Sequence, residues 1–340
     1  MTPILHQRPE PVCETLALLY IAENLEDLIR LMAKLLNTGQ GDFASYYHMH
    51  EALHRKYVAA FRERAVYPGE WKAFFFHQMS AGEYVLMALP FLMDQNLIFD
   101  AESRGEAELK ALLRESYRFL YDSGMSGFTR NEQAQELDAY LAGGAGGEAM
   151  REVAEHPASY LPELARAVRE NIPAMEDAWM LVREQAQAFI ASSWRSVDEF
   201  YEKGLVKRDA PIRHIYPQLS LYTTSFFIGD AYYYGLFNVD ERPEEIRSDE
   251  KRFLTDVCKA LGDTTRMEIL LLLRERPWYN RELAQTLDLT PATIMHHMDI
   301  LLQNGLAVMT TDRENQKRIY FSLVPERLEK LRETLGRLFQ

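Results

Sequence analysis

The chain has 340 residues, a formal net charge of −13, 47% hydrophobic and 26% charged residues. This composition is ordinary for a globular protein that can build real cores, and the length predicts two or three folding units. Cys13 and Cys258 lie far apart and outside any CxxC spacing, which argues against a disulfide scaffold or a zinc site built on cysteines.

The start of the chain lacks the basic and apolar regions of a signal peptide. No apolar run reaches the ~18 residues that a membrane-spanning helix needs. We therefore expect a cytoplasmic protein without a membrane partner.

The first two hundred residues are dominated by the apolar spacing of helices. Residues 1–12 are rich in proline and are expected to be extended. Helical patterns then cover residues 12–36, Asp42 to about 65, a segment that begins at 68–71, an apolar stretch at 84–97, and residues 105–122 and 129–141. Pro90 should interrupt or kink the apolar stretch. The glycine-rich stretch 143–147 predicts an exposed loop, and Pro173 is expected to be the first residue of a long helix that ends at Gly204.

The amino-acid composition changes after Gly204. Residues 212–222 and 226–237 are rich in β-branched and aromatic side chains, and they predict strands that form a small β-hairpin. The polar stretch 238–248 is the expected linker. The chain is thus divided into an N-terminal domain, residues 1–247, and a C-terminal domain, residues 248–340.

The C-terminal domain carries the most informative pattern. Its apolar residues form one stripe at Leu283, Ala284 and Leu287 and a second at Ile294, Met298, Leu301 and Leu302, with a tight break between them. Two short helices joined in this way predict a helix-turn-helix, whose second helix can enter the DNA major groove. Two β-prone runs, 306–311 and 317–323, flank a charged turn and predict a hairpin wing.

This segment resembles the winged-helix domain of the ArsR family of bacterial transcriptional regulators. The resemblance covers about residues 250–338 and rests on "ALGDTTRMEILLLL", "ELAQTLDLTPATIMHHMDILLQNGL" and "KRIYFSL" in this order. Together with the patterns of residues 1–247, it predicts a mainly α-helical fold: a large helical N-terminal domain of unassigned family with a small β-hairpin, plus a C-terminal winged helix-turn-helix. It also implies a homodimer that binds an inverted repeat in double-stranded DNA. A helical core unit without a role in DNA binding is the alternative.

The residues expected at the DNA follow from the resemblance. They are Arg281, Thr290, Pro291, Ala292, Thr293, Met295, His296, His297, Arg313, Lys317 and Arg318. Thr290 should also cap the second helix, and His297 is expected to hold that helix more than to contact bases. Pro291 and Met295 stand where the family usually has polar residues, so thymine-methyl contacts or DNA shape are expected to carry much of the selectivity. A charged turn is often merely solvated, so the three wing cations are open to that interpretation as well.

The charge is divided unequally between the two domains. Residues 248–340 contain 14 Lys and Arg and 14 Asp and Glu, so the whole net charge of −13 falls on residues 1–247. Contact with phosphates therefore depends on where the C-terminal cations lie, and the acidic N-terminal domain should repel DNA.

The resemblance implies that the first and last helices of the C-terminal domain form the dimer interface. The apolar candidates are Phe253, Val257, Leu328, Leu331, Leu335 and Leu338, with packing onto the chain's own body as the alternative. Many family members sense metals through a Cys-x-Cys pair or through Asp, His and Glu on the last helix. Residues 278–284 contain no cysteine and the last helix no histidine, so we expect neither a metal nor another cofactor.

A competing motif lies in the N-terminal domain. His50-Glu-Ala-Leu-His54 matches HExxH, in which two histidines at i and i+4 share a zinc ion and the glutamate activates water. The alternative function is thus a zinc metallopeptidase fused to a DNA-binding tail, although no motif marks a third ligand. We favour a regulator that is not an enzyme, in which the N-terminal domain binds a small-molecule or protein effector, or sets the dimer, and so modulates DNA binding.

Overall fold

The computed structural model of the chain describes residues 2–36, 43–67, 71–123, 136–142, 147–193, 197, 200, 212–221, 225–236, 250–311 and 319–339. Within these ranges the protein is mainly helical, as the sequence predicts. No helix in these ranges is long and apolar enough to cross a membrane.

Nine α-helices lie in the described part of the N-terminal half. They are α1 (Pro11–Leu36), α2 (Phe43–Arg64), α3 (Trp71–Ala73), α4 (Ala81–Met93), α5 (Leu97–Asp100), α6 (Glu106–Ser123), α7 (Leu137–Ala142), α8 (Glu148–Glu155) and α9 (Pro157–Ser193). The predicted ends of α1, α2 and α6 are confirmed to within one residue. Only the last part of the predicted helix 129–141 is described, as α7, and of the predicted loop 143–147 only Gly147 is described.

Helix α9 shows that the predicted position of Pro173 was wrong. The helix begins at Pro157, and Pro173 lies inside it. Its buried stripe runs without a break through Leu161, Leu164, Ala165, Val168, Met175, Trp179 and Val182. Packing of this stripe against α1 and α2 outweighs the roughly 3 kcal/mol that an internal proline costs a helix. The predicted end at Gly204 lies outside the described residues.

Pro90 likewise lies inside a helix, and the apolar stretch is broken later than predicted. Helix α4 runs through Pro90 to Met93, where the Asp94 amide donates to the Pro90 carbonyl at 2.9 Å. The proline falls in the last turn of a helix that is buried on most sides, so packing again outweighs one lost hydrogen bond.

The N-terminal half also contains a four-stranded sheet. Its strands are β1 (Ile4–Leu5), β2 (His214–Gln218), β3 (Ser225–Ile228) and β4 (Ala231–Gly235), in the order β1-β2-β4-β3. Strands β3 and β4 form a hairpin around Gly229, whose φ of 60° permits the tight turn. This hairpin lies almost wholly within the run 226–237; the run 212–222 supplies β2, which pairs with β4 in parallel, so the two predicted runs do not form a hairpin with each other. The parallel pairs β1–β2 and β2–β4 were not predicted, because the sequence pattern of a strand does not identify its partner.

The C-terminal half begins, in the described residues, at position 250, and the predicted linker 238–248 lies outside them. Its elements are α10 (Glu250–Leu261), α11 (Thr264–Glu275), β5 (Trp278–Tyr279), α12 (Asn280–Leu287), α13 (Pro291–Gln303), β6 (Ala307–Thr311), β7 (Ile319–Leu323) and α14 (Pro325–Phe339). The three strands form an antiparallel sheet in the order β5-β7-β6, so the predicted wing hairpin is present as β6 and β7. One contiguous cluster of buried apolar side chains includes residues of both halves of the chain.

Candidate nucleic-acid interface

The turn between α12 and α13 is three residues long. Asp288 ends α12 in the left-handed conformation (φ 54°, ψ 45°), which an aspartate adopts more readily than most residues. Thr290 caps α13, as predicted, because its hydroxyl accepts a hydrogen bond from the Thr293 amide at 3.1 Å. Pro291 follows at the first helical position, where the missing N–H costs nothing.

Buried contacts fix the two helices against each other. The apolar side chains between them are Leu283, Ala284, Ile294, Met298 and Leu301, all buried. Asn280, also fully buried, donates from Nδ2 to the Pro291 carbonyl at 2.9 Å and so ties the start of α12 to the start of α13. The pair has the helix-turn-helix arrangement that the apolar stripes predict. The sequence gives no sign of the role of Asn280, because an asparagine at a helix start is usually just exposed.

His297 lies against the N-terminus of α11. Its Nδ1 is 3.6 Å from Oδ1 of Asp263, which caps α11 by accepting a hydrogen bond from the Arg266 amide at 2.9 Å. That amide hydrogen bond holds the pKa of Asp263 below its usual value. Burial lowers the pKa of His297, an effect that the Asp263 carboxylate opposes. His297 thus contacts the protein's own scaffold, in line with the expected holding role.

The other predicted DNA-binding residues differ in their exposure. His296 is exposed, Pro291 is buried, and the half-buried ones are Arg281, Thr290, Ala292, Thr293 and Met295. The three predicted wing cations, Arg313, Lys317 and Arg318, lie outside the described residues. Of the predicted residues on α12 and α13, His296 is therefore the side chain most available to a partner in this arrangement.

Helix α6 of the N-terminal half packs against both α12 and α13. This contact joins residues more than 150 positions apart, and no sequence pattern indicated it. It brings the acidic half of the chain beside the recognition helix.

The predicted dimer residues already have partners within one chain. Phe253 and Val257 are buried, and Leu328, Leu331 and Leu335 are half-buried where α10 packs on α14. The side chain of Leu338 lies outside the described residues. The Arg327 guanidinium stacks 4.5 Å from the centre of the Phe253 ring, and its Nε donates to the Asn304 carbonyl at 2.8 Å. The homodimer stays a prediction.

The HExxH histidines lie on α2 and face different surroundings. His54 is fully buried, with Nε2 3.3 Å from the Ser220 carbonyl, and burial lowers its pKa to about 4. His50 packs edge-on against Phe189, with ring centres 4.7 Å apart, and burial lowers its pKa as well. Glu51 forms an ion pair with Arg55 at 2.6 Å. No group of three His, Cys, Asp or Glu side chains within the described ranges is placed to hold a metal ion.

The comparisons with known proteins agree with the geometry. Residues 263–307 match the family model of the bacterial regulatory proteins of the arsR family. The match begins at the cap of α11 and ends at the start of β6, so it covers the whole helix-turn-helix. The C-terminal half therefore contains an ArsR-family helix-turn-helix, the domain of a class of DNA-binding transcription regulators. No curated protein and no solved structure matches the chain.

Proposed function

We propose that the protein is a cytoplasmic, homodimeric transcription regulator that binds an inverted-repeat operator through residues 248–340. The N-terminal domain, residues 1–247, modulates that binding in response to a small-molecule or protein effector. Each protomer places α13 in a major groove, and the two grooves lie about one helical turn apart on the same face of the duplex.

The match of residues 263–307 to the arsR family, on helices that form a helix-turn-helix, carries this proposal. Two local features support it. His296 is exposed near the middle of α13, and Thr293 lies one turn before it, beside the capped helix start. Arg281 on α12 adds a cation at the same end of the motif. The metallopeptidase alternative has no comparable support, because Glu51 is engaged by Arg55 and His54 is enclosed in the core.

The first test is the binding of the full chain to duplex DNA from its own upstream intergenic region, followed by fluorescence anisotropy against a scrambled duplex. We expect selective binding that His296→Ala and Thr293→Ala each weaken by about tenfold, since a lost base or phosphate contact typically costs about 1–3 kcal/mol. Affinity should also fall steeply as salt is raised, because phosphate contacts release counterions.

His156→Ala is the matched control, because His156 is an exposed histidine at the end of α8. It should leave the affinity unchanged. Selective binding that neither recognition-helix substitution affects would show that the proposed contact residues are wrong. An absence of selectivity between the two duplexes, in the unmodified chain and in a chain whose two halves are separated, would contradict the proposed function.

A further inference from the structure

The recognition helix has two flanks, and they contact different parts of the protein. Residues of a helix follow each other at about 100°, so relative to the buried Ile294, Thr293 and His297 lie on one side and Pro291, Met295 and Leu302 on the other. The first side meets α11 through the His297–Asp263 contact. The second side is where Pro291 is buried and where Met295 and Leu302 are half-buried and packed against the core.

Different sides of helix α6 contact different neighbours. Ser116 contacts α4, with Oγ 3.5 Å from the Met93 sulfur, and Tyr117 contacts α7, with its ring centre 5.3 Å from that of Tyr140. Phe119 lies about 60° from Ser116 on the side away from Tyr117. Its side chain is nevertheless only 7% exposed.

The neighbours of α6 meet it at different places along its length. Helix α9 meets α6 near its start, where Glu106 accepts a hydrogen bond from the Ala158 amide at 3.1 Å. Phe119 lies thirteen residues further along, roughly 20 Å away at the helical rise. Helices α4, α7 and α8 pack against α6 as well, and α12 and α13 contact it from the C-terminal half, which makes Phe119 a candidate for their contact.

This packing leaves no room for DNA beside the recognition helix. An α-helix with its side chains is about 10–12 Å across, and the major groove is about 12 Å wide. The groove therefore accepts α13 alone and cannot accept α13 with α6 attached to its flank.

Pro291 and Met295, on one flank of α13, are suited to contact with protein. Pro291 and Met295 have little to offer phosphates or polar base edges, but they bury well against a phenylalanine. In the structure Pro291 is buried and Met295 is half-buried.

We propose that the chain is autoinhibited: α6 covers the Pro291–Met295 flank of α13, and the two halves of the chain must separate before the recognition helix enters DNA. The proposal rests on the proposed DNA-binding function. It assigns the N-terminal domain a concrete mode of action, in which an effector raises DNA affinity by favouring the separated state.

The test uses the full chain with Phe119→Asp, which places a charge in the α6 contact. Because an unpaired buried charge is strongly disfavoured, the contact should open, and the Kd for the upstream duplex should fall at least about tenfold. Ala111→Asp is the matched control, since Ala111 lies on the exposed face of the same helix and the charge added is the same. Phe119→Leu keeps an apolar side chain and should bind like the unmodified chain.

Circular dichroism and thermal unfolding establish that each variant folds, and Phe119→Ala, which weakens the contact without adding charge, replaces Phe119→Asp if the latter does not. Selective binding with the same Kd in the unmodified chain, Phe119→Asp or Phe119→Ala, and Ala111→Asp would overturn autoinhibition and leave the proposed function intact. Weaker binding by a folded Phe119 variant would overturn it too. If no form of the chain, opened or not, distinguishes the upstream duplex from the scrambled one, the proposed function itself fails.

Discussion

Glu14→Gln is expected to raise the free energy of unfolding at pH 8 by about 3 kcal/mol and to have little effect at pH 4 to 5. Glu14 is fully buried in α1, where Oε1 accepts hydrogen bonds from the amides of Leu219 at 3.1 Å and Ser220 at 2.8 Å. Burial raises the pKa of its carboxyl to about 7, and the hydrogen bonds from the Ser220 and Leu219 amides oppose only part of that rise.

The direction follows from proton binding. Between the pKa of an unfolded glutamate and about pH 7, the folded chain retains a proton on Glu14 that the unfolded chain has lost. Folding stability therefore decreases as the pH rises through this range and levels off above about pH 7. A difference of about 2.5 pKa units corresponds to about 3 kcal/mol. Glutamine stays neutral and keeps an oxygen for the two amides, so it removes this loss.

Urea unfolding of both proteins at pH 5, 6, 7 and 8 measures the effect. The difference in free energy of unfolding should grow across the series, while Glu184→Gln, at an exposed position of α9, serves as the control for removing one negative charge. A difference that does not change with pH would show that Glu14 is not protonated in the folded protein near neutral pH.

Asn171→Ala is expected to lower the free energy of unfolding by about 3 kcal/mol. Asn171 is fully buried in α9. Its Oδ1 accepts from the Val66 amide at 2.7 Å, and its Nδ2 donates to the carbonyls of Val66 and Ala167, each at 2.7 Å. Removing the side chain loses three hydrogen bonds, two of them to the backbone of Val66 just after the end of α2, and each contributes about 1 kcal/mol.

The same urea titration at one pH measures this loss. Arg30→Ala provides the comparison, because Arg30 is exposed and pairs with Asp27, an exposed aspartate on its own helix. That change should stay within about 0.5 kcal/mol. If Asn171→Ala also lowers the free energy of unfolding by no more than about 0.5 kcal/mol, solvent replaces the amide and Asn171 does not hold α9 to the end of α2.

The sequence predicts the positions of individual helices well, because they depend on neighbouring residues. The apolar repeats of α1, α2 and α6 place those helices to within one residue, because each has one face that must be buried. The helix-turn-helix is predictable for the same reason, with Thr290 and Pro291 marking the start of α13. Pro173 is mispredicted as a helix start, and α4 continues through Pro90, because tertiary packing outweighs the local preference of proline.

Contacts between residues that lie far apart in the sequence could not be predicted. Glu14, Asn171 and Asn280 are polar residues on largely apolar helices, and the groups that satisfy them lie on other segments. A periodic pattern records which face of a helix is buried and gives no information about the neighbour. The contact of α6 with α12 and α13 is the largest such omission, since it sets the surroundings of the candidate DNA-binding residues.

Hydroxyl-radical footprinting of the full chain on its own upstream intergenic DNA shows whether two copies of the helix-turn-helix recognise an operator. Two α13 helices in successive major grooves predict two protected segments centred about 10 base pairs apart, related by the symmetry of an inverted repeat. His296→Ala should remove both segments together at the same protein concentration. Uniform protection along the fragment, or none at concentrations that saturate non-specific binding, by both the unmodified chain and Phe119→Ala would contradict a helix-turn-helix that recognises an operator.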